Sequence, residues 1–150
     1  MNTILSRSGL LRSGLTGLAA VALLVATPAA FAQTQTLKAA LTAASQVPPN
    51  ASTGTGTLAG TYDPATKKLV WTVTFTGLSG PPTAAHFHGP AAAGANAGVV
   101  VPQKDGLASP MKGEATLTDA QAADLAAGMW YFNIHTEANK GGEIRAQLKP

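Results

Sequence analysis

Apolar and polar side chains alternate without a break from Leu69 to Thr76, with Leu69, Trp71, Val73 and Phe75 on one face and Val70, Thr72, Thr74 and Thr76 on the other. A strand repeats every two residues, so this pattern predicts a half-buried strand at the centre of the core. Just before it, Asp63-Pro64 marks a turn, which makes residues 54 to 62 the hairpin partner. Leu37, Ala39 and Leu41 alternate in the same way and predict an opening strand. Thr83 to His88 forms a further short strand. A Gly/Ala/Pro-rich loop follows from Gly89 to Gly98, then the apolar run Val99-Val100-Val101 and a strand over 111 to 117.

At Thr118 the period changes. Thr118-Asp119-Ala120-Gln121 is a capping box, Ala122, Ala123, Leu125 and Ala127 are good helix formers, and Gly128 stops the run. A helix of about nine residues, 119 to 127, is expected from these signals. Met129 to Thr136 and Glu143 to Leu148 then read as two strands joined through Asn139-Lys140-Gly141-Gly142, a hairpin signal. Seven or eight short strands with one short helix predict an all-β fold, an antiparallel Greek-key β-sandwich. With 8 aromatic residues in 150, its core is expected to rest on Val, Leu and Ala.

The first thirty-odd residues follow a different pattern. Arg7 and Arg12 precede an uncharged stretch from Leu15 to Ala30, and Ala30-Phe31-Ala32 supplies small residues before Gln33. This is the layout of a secretory signal peptide, with cleavage expected after Ala32. Pro28 interrupts the apolar run before it reaches the roughly 20 residues of a membrane span. Residues 33–150 would then form one exported domain, periplasmic or secreted, with no membrane attachment after cleavage. The whole chain carries 10 Lys+Arg against 7 Asp+Glu, and loss of Arg7 and Arg12 leaves 8 against 7. A net charge of +1 excludes nucleic acid as an electrostatic partner.

Charge and cysteine content narrow the chemistry. There is no cysteine, so neither a disulfide nor a thiolate metal site can form. The three histidines are His86, His88 and His135. His86 and His88 are two apart on one strand and therefore share a face, with Phe87 turned into the core. In Tyr131-Phe132-Asn133-Ile134-His135-Thr136 the alternation puts Phe132 and Ile134 inward, and Asn133 and His135 outward. If the two strands are neighbours, three imidazoles gather on the face away from the core, a donor set that suits copper, with zinc as the alternative. Glu143 would lie nearly across the hairpin from His135, as a fourth ligand or as an acceptor that fixes an imidazole. Arg145 shares its face and can pair with it.

The bland readings stand beside this one. A His-x-His pair is often surface decoration, and glycines beside strands, here Gly89 and Gly141-Gly142, are usually ordinary turns, although close backbone approach also needs them. Met111 and Met129 form no methionine cluster and read as core or edge residues. Of Trp130 and Tyr131, one is expected to pack inward and the other to be exposed. No nucleophile elbow, phosphate-binding loop or Ser/His/Asp set is present, so no catalytic residue is assigned.

Three segments together carry a family resemblance: Ala85-His86-Phe87-His88-Gly89-Pro90-Ala91, Tyr131 to Thr136, and Asn139 to Leu148. With Ser45-Gln46-Val47-Pro48-Pro49, Gly54-Thr55-Gly56 and Trp71-Thr72-Val73-Thr74-Phe75 upstream, the chain resembles the CHRD domain, the module repeated in chordin and found singly in many exported bacterial proteins. The resemblance spans about residues 35 to 149. Lys140 departs from it, standing where that family commonly has Pro. Chordin's antagonism of growth factors is associated mainly with cysteine-rich modules that have no counterpart here, so the resemblance implies the fold more than a partner. The His-x-His strand and late His also look faintly like copper,zinc superoxide dismutase. Three histidines are too few for its dinuclear site, and only a mononuclear site is compatible.

Three functions follow as expectations. One is an exported metal-binding domain, copper favoured, acting in metal binding or tolerance outside the cytoplasm. Another is a cell-surface protein-interaction module with structural histidines, marked by an exposed apolar or aromatic patch away from His86, for which Trp130 is one candidate. A redox enzyme on the same metal site is the third.

Overall fold

The computed structural model describes residues 33–149. The segment expected to be a signal peptide lies outside the described residues. Eight strands follow in order: β1 (Gln35–Thr42), β2 (Thr55–Asp63), β3 (Lys68–Thr76), β4 (Pro82–His88), β5 (Val99–Pro102), β6 (Met111–Thr116), β7 (Tyr131–Thr136) and β8 (Ile144–Gln147). Among the described residues one α-helix, α1 (Asp119–Ala126), lies between β6 and β7. All-β architecture with one short helix is therefore the fold class, as the periodicity predicts.

Every strand pair is antiparallel, and the strands form one continuous sheet in the order β5-β4-β7-β8-β1-β2-β3-β6. The sheet curls until its two ends face each other. Trp71 on β3 meets Phe87 on β4, ring centroids 4.8 Å apart, although four strands separate β4 from β3 in the sheet order. The two layers of the sandwich are thus one sheet folded over, almost closed into a barrel.

One side chain spans the remaining seam. Gln103, immediately after β5, accepts a hydrogen bond from Trp71 Nε1 at 2.7 Å and donates to the Lys112 carbonyl of β6 at 2.8 Å. A cleft of about 300 Å³ runs beside it, lined by Trp71, Val100, Val101, Glu114 and Gln121 among others.

Local signals explain the elements. The β2–β3 turn is fixed by Asp63, whose carboxylate accepts from Ala65 N and Thr66 Oγ1, the side-chain turn that Asp favours. At α1, Thr118 Oγ1 accepts from Gln121 N while Gln121 Oε1 accepts from Thr118 N, and Gly128 ends the run at φ +71°. Neighbouring backbone donors that helix geometry leaves unpaired are satisfied in this way.

The core holds the expected Leu, Val and Ala, among them Leu37, Leu58, Leu69, Val73 and Ala85, and an aromatic cluster besides. Trp71, Phe87, Trp130 and Phe132 occupy its centre, fully or almost fully buried. Phe87 touches three of them, with ring centroids 4.8 Å from Trp71, 4.8 Å from Phe132 and 5.9 Å from Trp130. Few aromatics suffice because they are concentrated in one cluster; burying each contributes about 1.5–3 kcal/mol. Nor is one of Trp130 and Tyr131 exposed: they are 0% and 3% accessible. Strand alternation turns Trp130 into the core and Tyr131 to the opposite face, and that face is covered as well.

Candidate metal centre

The outer face of β4, β7 and β8 holds a polar layer whose arrangement follows from register. His86 pairs with Asn133 and His88 with Tyr131 between β4 and β7, and Asn133 pairs with Arg145 between β7 and β8. Asn133 thus stands at the middle of a grid, with His86 beside it on one strand, Arg145 on the other, and His135 two residues along its own.

The segment from Gly89 to Gly98 folds over this grid and points carbonyls into it. Ala97 O lies 3.0 Å from His88 Nδ1, Ala95 O accepts from Arg145 Nη2 at 2.7 Å, and Ala91 O accepts from Gln147 Nε2 at 2.9 Å. Asn96 accepts from Arg145 Nη1 at 3.0 Å and donates to Val47 O. The loop is seated by close approach: a Cβ at Gly89 would fall 2.5 Å from Trp130 Cδ1. Under this cover Asn133 and Arg145 are 3% and 1% exposed, which makes a second interior that is polar rather than apolar. Buried polar groups of this kind persist only when hydrogen-bonded, and here the loop backbone supplies the partners.

The three histidines converge. One ring nitrogen from each of His86, His88 and His135 lies within 4.8 Å of the other two. Two of the rings are held by backbone acceptors, since His88 Nδ1 faces Ala97 O and His135 Nδ1 faces Lys140 O at 2.9 Å. A carbonyl only accepts, so each Nδ1 carries the proton and each Nε2 of the neutral ring presents a lone pair. This is the tautomer selection that metal-binding histidines use. His86 makes no such bond, and its Nδ1 is buried without a partner.

Electrostatics disfavour charge on His86 and His88. Burial lowers the pKa of His86, helped by the neighbouring His135 and His88. Burial also lowers that of His88, against the opposing pull of its hydrogen bonds to Ala97 and Asn133. His88 stacks on Tyr131, planes 1° apart, and Arg145 lies over the same ring at 3.4 Å. A cation beyond the tyrosine further disfavours charge on His88.

Two opposite atoms bonded to one ion at about 2.0 Å are at most about 4 Å apart. The three ring nitrogens, within 4.8 Å of one another, draw closer around an ion, and His86 is the ring that no hydrogen bond anchors.

Glu143, expected beside the histidines, is not in this group. Its carboxylate accepts from Ser52 Oγ, Ser79 N, Ser79 Oγ and Thr136 Oγ1 at 2.5–2.7 Å. Burial would raise its pKa, but the hydroxyls of Ser52, Ser79 and Thr136 and the Ser79 amide outweigh that and hold it at about 2. Glu143 precedes β8 and follows Gly142, φ +118°, and its carboxylate ties Ser52 and Ser79 to Thr136 at the end of β7. Arg145 consequently pairs with the covering loop and Tyr131 instead of Glu143.

The residue that sequence reasoning passed over is Asn133. Its Oδ1 lies 3.0 Å from His88 Nε2 and 2.9 Å from His135 Nε2. Outward alternation with His135 was a legible signal; its place opposite His86 depends on register, which the chain pattern does not give.

A family model for the CHRD domain matches residues 37–148, nearly all of the described chain. The chain is a CHRD-domain protein. Met111 and Leu125 belong to this domain's core, with Met111 1% exposed and unavailable as a thioether donor on the surface. No curated protein and no solved structure matches the chain. Among the described residues no helix is long and apolar enough to cross a membrane.

Proposed function

We propose that this CHRD domain is an exported metal-binding domain, acting outside the cytoplasm in metal binding or tolerance, with His86, His88 and His135 as ligands. The observation that carries this reading is the convergence of three ring nitrogens within 4.8 Å, two of them with the protonated nitrogen turned away onto a backbone carbonyl. Copper is the favoured ion and zinc the alternative, because imidazole nitrogen suits both and the chain has no thiolate.

An interaction module with structural histidines calls for an exposed apolar or aromatic patch away from His86, and Trp130, one candidate for it, is 0% exposed. It also calls for histidines that point apart, whereas these point together. Purified untagged protein loaded with Cu(II) or Zn(II) is expected to retain one ion per chain, and His88→Ala to retain much less than one. Wild-type protein that emerges from gel filtration free of metal would sink the proposal.

A further inference from the structure

We propose that Asn133 is the fourth ligand of this centre, its Oδ1 completing a three-nitrogen, one-oxygen donor set with the imidazoles; the inference rests on the metal-binding reading above. The argument begins with lone pairs. His88 and His135 each give their Nδ1 proton to a carbonyl, so both Nε2 atoms face Asn133 as acceptors. Asn133 Oδ1, also an acceptor, sits 3.0 and 2.9 Å from them. Three acceptors brought this close repel one another unless a metal cation lies among them, a ring carries a second proton, or the amide turns its Nδ2 toward the rings.

The distances also match a metal's demands. Two donors bonded at about 2.1 Å and at right angles are separated by about 3.0 Å, whereas tetrahedral donors are separated by about 3.4 Å. Right angles belong to the tetragonal geometry of Cu(II) with nitrogen and oxygen donors. The Asn133 carbonyl therefore bears on which ion the centre takes as well as on how tightly it binds.

The surroundings hold the amide in place. Asn133 is 3% exposed on the central outer strand of the polar layer, and its Nδ2 points toward Gly142. A Cβ at that glycine would fall 2.7 Å from Asn133 Nδ2 and 2.5 Å from Gln46 Nε2. The glycine thus leaves room for two amides, and Gln46, 4% exposed with Nε2 unpartnered, closes the side of the site away from the histidines.

The test compares wild type, Asn133→Ala, Asn133→Asp and His88→Ala by chelator competition with Cu(II). Asn133→Ala is expected to weaken binding by about 10–100-fold at unchanged stoichiometry, the loss typical of a metal-site partner, and Asn133→Asp to restore or exceed wild-type affinity. Wild-type affinity in Asn133→Ala, with binding abolished in His88→Ala, overturns the role of Asn133 and leaves the three-histidine centre standing. Failure of the wild type to bind overturns both.

Should Asn133→Ala not fold, the wild type answers alone. On Zn(II) loading the side-chain carbonyl resonance of Asn133 is expected to move, while those of Asn50, Asn96 and Asn139 stay. An unmoved Asn133 signal overturns the proposal. So does finding both imidazoles doubly protonated at neutral pH, since the positive charge among the donors would then be a proton.

Discussion

Glu143 shows how a single carboxylate can be removed from chemistry and spent on architecture. Its folded pKa of about 2 lies below the ordinary 4.5, so the folded state binds the proton more weakly than the unfolded chain. The stability this contributes is complete above pH 4.5 and is lost as the pH falls toward 2. The shift corresponds to about 3 kcal/mol. Glu143→Gln is expected to lose about 2–3 kcal/mol at pH 7 in urea unfolding, and to differ little from wild type near pH 2. An equal deficit at both pH values would contradict this account. His86 and His88, whose pKa values are lowered by burial, act in the same sense at higher pH: their protonation below about 6.5 opposes folding. Spacing made the histidines visible, because residues two apart on a strand must share a face. Glu143 was placed nearly across the hairpin from His135, but it stands between Gly142, at φ +118°, and the first residue of β8, and its carboxylate goes to Ser52, Ser79 and Thr136.

At the scale of elements, strands and helix were legible from period and caps, each within about two residues of its predicted bounds. The segment between β4 and β5 was not. Its Gly/Ala/Pro composition reads as a plain loop, and nothing in a run of small residues announces that Ala91, Ala95 and Ala97 will use their backbone carbonyls on Gln147, Arg145 and His88. The information lies in the backbone, which every residue possesses. Gly142→Ala tests how this layer is assembled. The new methyl group meets Gln46 and Asn133 in a backbone conformation that non-glycine residues avoid, so a loss of about 2 kcal/mol is expected, with Cu(II) affinity falling alongside stability. Unchanged affinity would show that the Asn133 position does not depend on this glycine.

At the largest scale the described residues 33–149 form one sheet that nearly closes, a property that emerges from strand order and cannot be read from eight separate periodicities. Its ends are tied through Gln103, which bonds Trp71 on β3 and Lys112 on β6. Removing that amide leaves the Trp71 N–H and a strand-edge carbonyl without their partner. Gln103→Leu is expected to cost about 1–3 kcal/mol and to speed hydrogen exchange at β5 and β6 before the rest of the sheet. Uniform exchange across all strands would argue against a local seam.

The seam has a further consequence for life at high concentration. Unpaired strand edges invite other chains to add on, and that is how many β-rich proteins begin to aggregate. A foreign strand inserted between β5 and β6 needs two inter-strand spacings, about 9.5 Å, yet here one glutamine side chain reaches across. By turning its two open edges toward each other, the domain hides the surface on which fibrils would otherwise start.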